Sequence, residues 1–217
     1  MEQQQQQQTV HLFVPDTMSD WEPGYAVAGI NQPTYQQNPG RYSIRTVGIT
    51  RDPVRTMGGI TIVPDMALAE LRPEDSAMLI LPGSAMWDAG ADAEAVETAR
   101  AFLDAGVPVA AVCGATGALA RAGVLNGRPH TSNAREYLGW QTGYAGTEHY
   151  VDAPAHRDGD LITASGTAPI EFARAIFERL ELYAPHVLDA WYALYKHGDP
   201  AAFYTLAALE EAEGAAA

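Results

Sequence analysis

The residue best placed to do chemistry is Cys113, the single cysteine among 217 residues. A short apolar run over residues 107–112 ends at this cysteine, and Gly114 and a segment of small, helix-forming residues follow it. A strand, a sharp turn and a helix in this order are typical of a nucleophile elbow. Amide groups at the start of the helix would stabilise a thiolate. The pattern therefore favours a reactive Cys113 over the alternative of an inert, buried strand cysteine.

The composition excludes several classes of site and partner. A lone cysteine excludes an internal disulfide framework and cysteine-rich metal sites, and the six histidines lack metal-ligand spacing. The net charge of −14 argues against a nucleic-acid-binding surface. We find no membrane-spanning run and no export signal, so a free thiol predicts a cytoplasmic protein. We therefore predict a small-molecule substrate, with no metal, cofactor, nucleic acid or membrane partner.

Strand-like and helix-like segments alternate along the chain and predict a mostly parallel α/β sandwich. The continuous apolar run at residues 78–81 is typical of a parallel strand covered on both faces. The predicted strands are residues 10–15, 42–49, 60–63, 78–81, 107–112, 128–132, 150–153 and 161–164. The predicted helices are residues 24–31, 92–105, 115–122, 133–138 and 169–182.

Ligands of such sandwiches bind beyond the carboxyl ends of the strands, and three loops follow predicted strands there. Asp20, Trp21 and Glu22 come after the first strand, Gly83 follows a middle strand, and Cys113 ends the next one. We therefore expect these loops to meet at one edge of the sheet, with Asp20 and Trp21 at the rim of the pocket.

The two ends of the chain differ from this α/β pattern. The glutamine-rich residues 1–8 are predicted to be disordered, and residues 210–217 to be frayed. Residues 9–183 would form the α/β domain, and residues 184–217 a C-terminal extension with aromatic-rich helices at 186–197 and 200–211. Their aromatic residues either pack these helices onto the core or form a cap over the site or a dimer surface.

Several of these segments together resemble the ThiJ/PfpI family, part of the class I glutamine amidotransferase-like superfamily. The resemblance covers residues 9–182 and implies a flavodoxin-like three-layer sandwich with a C-terminal helical extension, and commonly a homodimer. The segments that carry it are residues 12–15, 20–22, 79–83, 111–116, 119–128 and 160–168.

The resemblance also implies roles for individual residues. Cys113 would be the nucleophile, and Glu22 the carboxyl group that hydrogen-bonds its sulfur. Gly83 and Gly114 would supply backbone N–H groups to an oxyanion hole, which is usually the largest catalytic contribution. A carboxyl group next to a thiol shares its titration, so the pair would lose protons jointly.

The general base is where the sequence leaves alternatives open. The family histidine that follows the elbow helix aligns with Asn133 in this chain, while His130 lies three residues earlier. We take His130 as the candidate base, with His149 as an alternative from another loop; Asn133 could equally be a helix N-cap. Gly114 stands where a protease-like branch has histidine, which argues against proteolysis and standard glutaminase activity.

Three functions are compatible with these residues. The first is a cysteine-dependent hydrolase, hydratase or amidotransferase-like enzyme acting on a small amide, isonitrile or reactive carbonyl compound. The second is a stress-response or redox-sensing protein in which a low-pKa Cys113 thiolate is oxidised to a sulfinate. The third is a scaffold that binds a partner through its C-terminal helices.

Overall fold

One mostly parallel sheet of seven strands organises the chain in the computed structural model, which describes residues 7–91 and 93–214. The strands are β1 (Gln8–Phe13), β2 (Tyr42–Gly48), β3 (Val54–Arg55), β4 (Thr61–Ile62), β5 (Met66–Ala67), β6 (Met78–Leu81), β7 (Val109–Val112), β8 (Ala155–Asp158) and β9 (Leu161–Ala164). The sheet order is β5-β2-β1-β6-β7-β9-β8, and only β8 runs antiparallel to its neighbour. The predicted mostly parallel α/β fold is confirmed.

Helices cover both faces of the sheet and give the sandwich its three layers. They are α1 (Trp21–Asn31), α2 (Ala85–Asp88), α3 (Ala93–Asp104), α4 (Gly114–Arg121), α5 (Arg135–Gly139), α6 (Pro169–Leu180), α7 (Pro185–His197) and α8 (Pro200–Gly214). In β6 the side chain of Ile80 enters the core under α1 and α6, whereas Leu79 enters the core under α3 and α4. This alternation follows from the two-residue period of a strand. The described helices lack the length and apolar character needed to cross a membrane.

Three predicted strands differ from the structure. Residues 128–132 and 150–153 form no strand and make one isolated bridge, between His130 and Tyr150. The strand at this edge of the sheet is instead β8. Its side chains are mostly polar and partly exposed, so the sequence shows no apolar run there. The strand predicted at residues 60–63 is the short β4, which pairs with β3 in a hairpin outside the main sheet.

The prediction of disorder is wrong at the last glutamine of the tract. Gln8 begins β1 and pairs with Tyr42 of β2, so the ordered domain begins earlier than predicted. Helix α8 continues as far as Gly214, within the segment predicted to be frayed. Residues 1–6 and 215–217, the remainder of these two predictions, lie outside the described residues.

The C-terminal helix α7 packs onto the domain through Trp191. The centroid of its ring lies 5.0 Å from that of Phe177 of α6 and 6.2 Å from that of Tyr25 of α1, and both pairs are nearly edge to face. Trp191 is buried, as the packing interpretation predicts, whereas Phe203 and Tyr204 on α8 are exposed. The extension therefore covers the side of the domain formed by α1 and α6.

Candidate active site

Cys113 occupies a strained turn between β7 and α4. Its backbone has φ +57° and ψ −124°, a region that residues other than glycine rarely adopt. The turn is fixed on one side by the Cys113 N–H, which donates to Ala164 O at 3.1 Å, and on the other by helix α4, which begins at Gly114. This is the strand–turn–helix geometry that the sequence predicts for a nucleophile elbow.

Glu22, in the first turn of α1, is the carboxyl group at the thiol. It is 1% exposed, it hydrogen-bonds to Cys113, and its Oε2 accepts from the Gly83 N–H at 2.6 Å. Gly166, in the loop after β9, forms the adjacent wall. A Cβ atom at Gly166 would lie 2.8 Å from both Cys113 Sγ and Glu22 Oε1, so both groups converge on this glycine.

Burial sets the protonation of this pair. Burial raises the pKa of Glu22, although hydrogen bonds from Gly83, Cys113 and Ser19 oppose the shift. Burial and the negative charge of Glu22 raise the pKa of Cys113 to about 11, against hydrogen bonds from Asn133 and Gly114. Both shifts are those of a coupled pair that retains a proton between its two members, as a carboxyl group next to a thiol predicts, and neither shift favours the low-pKa thiolate expected from the sequence.

The two predicted oxyanion donors both make hydrogen bonds to the pair formed by Glu22 and Cys113. The Gly83 N–H donates to the Glu22 carboxyl group, and the Gly114 N–H hydrogen-bonds the Cys113 sulfur. Gly83 therefore orients the carboxyl group in this state, and Gly114 stabilises the sulfur. Both amides already have a hydrogen-bond partner, which differs from the preformed oxyanion hole expected from the sequence.

His130 lies near the site in sequence but is not brought to the thiol. It is fully buried, with Nδ1 2.7 Å from Arg128 O and Nε2 2.8 Å from the Tyr144 hydroxyl. Burial lowers its pKa, so the ring is neutral and structural. His149, the alternative base, has Nε2 3.4 Å from Glu148 Oε1. The described hydrogen-bond partners of the Cys113 thiol are Glu22, Asn133 and Gly114, and neither histidine is among them.

Asn133 is the side chain that occupies the expected histidine position. Its Nδ2 donates to Cys113 Sγ at 3.3 Å, and its Oδ1 accepts from the Gly166 N–H at 2.9 Å. The alternative of a helix N-cap is wrong, since α5 begins at Arg135 with Ala134 at the cap. An amide can orient the sulfur but cannot take its proton, so Glu22 is the titratable group in contact with the thiol.

The rim of the site is formed partly as expected. Trp21 is 51% exposed and its Nε1 donates to Gly166 O at 3.1 Å, so the indole fixes the glycine wall. Asp20 turns away, because its Oδ2 accepts from the Gly58 N–H at 2.6 Å and ties α1 to the β3–β4 loop. Among the described residues, no three metal-ligating side chains gather into a site for an ion. Sequence reasoning missed the role of Gly166, whose contacts depend on the folded arrangement.

Comparisons with known proteins agree on one family. The model of the DJ-1/PfpI family matches residues 8–179. The chain is 38% identical over 203 residues to YoaZ of Bacillus subtilis (strain 168), described as an uncharacterised protease, covering 93% of this chain and 97% of the relative. It is 35% identical over 109 residues to Deglycase PYRAB04690 of Pyrococcus abyssi, covering 49% of this chain and 63% of the relative.

A solved structure shares both the fold and the extension. The thiJ/pfpI family protein from Bacillus anthracis is 39% identical, with a TM-score of 0.87, and the match covers 94% of this chain and 97% of that one. Coverage this complete extends the similarity through α7 into α8.

Proposed function

The chain belongs to the DJ-1/PfpI family, and from this premise we propose that it is a cysteine-dependent enzyme acting on small reactive carbonyl compounds. Relatives named as proteases and deglycases support a cysteine-dependent, hydrolase-like role for the family. The observation that carries the proposal is the contact between the thiol of Cys113, which directly precedes α4, and the carboxyl group of Glu22 in α1. Glu22 replaces His130 as the proposed base.

In the proposed reaction, Cys113 Sγ forms a bond to the carbonyl carbon and the π electrons move to the oxygen. The thiol proton passes to Glu22, which burial makes a better proton acceptor than an ordinary carboxylate. Return of that proton to the alkoxide gives a neutral hemithioacetal. For a 2-oxoaldehyde, an internal hydrogen shift and addition of one water then give a 2-hydroxy acid and the free thiol, without an oxidant.

A reactive carbonyl compound fits this site better than an amide. Amide hydrolysis needs preorganised oxyanion donors and an acid that protonates the leaving amine. In the resting site the Gly83 and Gly114 amides are engaged, and the His130 imidazole is bound elsewhere. An aldehyde carbon is more electrophilic and loses no amine on addition, so it places fewer demands on the protein.

Asn133 is proposed as a positioning residue. Its amide joins Cys113 Sγ to the Gly166 backbone, which holds the sulfur in position beside Glu22. Because it is a neutral donor, Asn133 stabilises the sulfur after the proton has left. This role differs from the acid–base role that a histidine would have at the same position.

The test is turnover of methylglyoxal by the full chain. Cys113→Ser should abolish it, and Glu22→Gln should lower kcat by about 100-fold or more, the usual contribution of a positioned base. In the wild type, kcat/KM should rise with pH along a limb displaced above the ordinary carboxyl pKa of 4.5, since burial raises that of Glu22. Glu148→Gln, which alters an exposed carboxyl group, is the matched control.

Alkylation by iodoacetamide separates a failed substrate choice from a failed mechanism, because the chain has one cysteine. The alkylation rate of the wild-type thiol should rise with pH around a midpoint of about 11, and Glu22→Gln should move that midpoint to lower pH by removing a nearby negative charge. An unmoved midpoint would refute the Glu22 assignment. If the midpoint of alkylation moved as expected in Glu22→Gln but the wild type did not turn over methylglyoxal, only the choice of substrate would be refuted.

The redox-sensing alternative has less support from this site. Peroxide oxidises the thiolate, and burial together with the charge of Glu22 raises the pKa of the Cys113 thiol to about 11, which disfavours that form. Rapid formation of a sulfinate on Cys113 in mild peroxide, without turnover of any carbonyl or amide substrate, would favour sensing over catalysis.

A further inference from the structure

A second pocket lies on the side of the domain where α1 meets α7. It has a volume of about 120 Å³, and five aromatic side chains line it. Tyr25 comes from α1, Trp191 and Tyr195 come from α7, and Tyr35 and Tyr183 come from the loops beside them. Such a concentration of aromatic rings around a small volume is characteristic of sites that bind cationic ammonium groups.

The rings stand as walls at steep angles to each other. The Tyr25 ring is inclined by 84° to Trp191 and by 76° to Tyr195, with centroids 6.2 Å and 5.5 Å away. The planes of the Trp191 and Tyr195 rings make an angle of only 34°. Tyr195 is 49% exposed, so this wall also opens to solvent.

The charge around the pocket favours a cation. Its described lining contains no lysine, arginine or histidine. The Tyr35 hydroxyl donates to Glu210 Oε1 at 2.7 Å, which adds a carboxylate at the edge. The net charge of −14 attracts cations to the molecule as a whole. An anionic ligand would instead need basic side chains in the lining.

The volume limits the ligand to a small group. An apolar cavity of about 150 Å³ holds one benzene molecule, so a pocket of about 120 Å³ holds about five non-hydrogen atoms. A nitrogen with four carbon substituents has this size. We propose that the pocket binds the quaternary ammonium head group of a small molecule, at a site separate from Cys113.

Choline is the probe, and its methyl protons report the contact directly. In a proton NMR titration of the full chain, the trimethyl signal should shift upfield and saturate, because aromatic rings shield protons above their faces. Tyr195→Leu should weaken binding by about tenfold, within the range of a cation–π contact. Tyr204→Leu is the matched control, since this exposed tyrosine does not line the pocket.

The neutral carbon analogue 3,3-dimethylbutan-1-ol tests the role of charge without any change to the protein. It has the shape of choline, so equal binding of the two compounds would overturn the proposal, as would a saturable shift that Tyr195→Leu leaves unchanged. Cys113→Ser should bind choline as the wild type does. Loss of choline binding in that variant would mean that the ligand occupies the candidate active site, and would also overturn the proposal.

Discussion

At the scale of the residue, the reactivity of Cys113 depends on a proton that it shares with Glu22. Burial penalises a charge on either group, and the negative charge of one disfavours ionisation of the other. In the proposed mechanism, a thiol held in this way keeps its proton until a carbonyl carbon approaches and the proton can move to the carboxyl group. The arrangement suits addition to an electrophile better than storage of a free thiolate, which would oxidise or alkylate without discrimination.

The backbone of Cys113 gives a prediction that reverses the usual order of stability. Glycine is normally less stabilising than alanine, but at φ +57° it relieves strain that alanine retains. We expect Cys113→Gly to exceed Cys113→Ala in free energy of unfolding by about 1 kcal/mol. Urea denaturation of both variants measures the difference. A more stable Cys113→Ala would show that the turn holds no strain at this residue.

At the scale of the element, the loop after β9 closes the site through Gly166. The Gly166→Ala substitution would bring a methyl group within 2.8 Å of Cys113 Sγ and Glu22 Oε1, so one of these groups must move. We expect carbonyl turnover to fall by about 100-fold, the effect of a misplacement near 1 Å, and stability to fall by about 1–3 kcal/mol. Steady-state kinetics and thermal unfolding measure the two effects.

Gly127→Ala is the control for this substitution. Gly127 is also outside the sheet and helices, and a Cβ atom there meets nothing within 4 Å. It should retain activity and stability close to those of the wild type. If Gly166→Ala behaved in the same way, the loop after β9 would not form the wall of the reactive pocket.

The sequence predicted those elements whose signals are local. The apolar run of β6 and the elbow at Cys113 both depend on neighbouring residues, and both were predicted correctly. The edge strand β8 pairs with residues only three to nine positions away, but its polar, partly exposed side chains give no apolar pattern. The contact of Asn133 with Cys113 spans 20 residues and depends on packing between loops. The engagement of Gly83 by Glu22 spans 61 residues, so the sequence could place both near the site without revealing that they bind each other.

At the scale of the whole molecule, α1 connects the two proposed sites. Glu22 in its first turn contacts Cys113, and Tyr25, about one turn later, forms a wall of the aromatic pocket. Tyr25 also packs on Trp191 of α7, so the C-terminal extension contacts the helix that carries the proposed base. The extension therefore packs against the helix that carries the proposed base, although none of its described residues touches the thiol.

An ion pair between α6 and α7 adds to the packing of that extension on the domain. Lys196 Nζ lies 2.6 Å from Glu171 Oε1, and the Glu171 side chain is only 10% exposed, with Oε2 lacking a hydrogen-bond partner among the described residues. Burial alone would raise the pKa of Glu171, but hydrogen bonds, led by that of Lys196, leave it below its ordinary value of 4.5. A lowered carboxyl pKa stabilises the fold above pH 4.5, and this stabilisation is lost as the pH falls.

Removing the lysine should therefore cost more than removing both partners. We expect Lys196→Met to lower the free energy of unfolding at pH 7 by about 1–2 kcal/mol, less than for a fully buried pair because Lys196 is 38% exposed. Adding Glu171→Gln should restore most of this loss, since the buried group is then neutral. Urea denaturation at pH 7 and pH 4 measures both effects, and the deficit of Lys196→Met should shrink at the lower pH as Glu171 becomes protonated. An equal deficit at both pH values, or a double variant no more stable than Lys196→Met, would assign the loss to packing of the lysine stem rather than to the charge on Glu171.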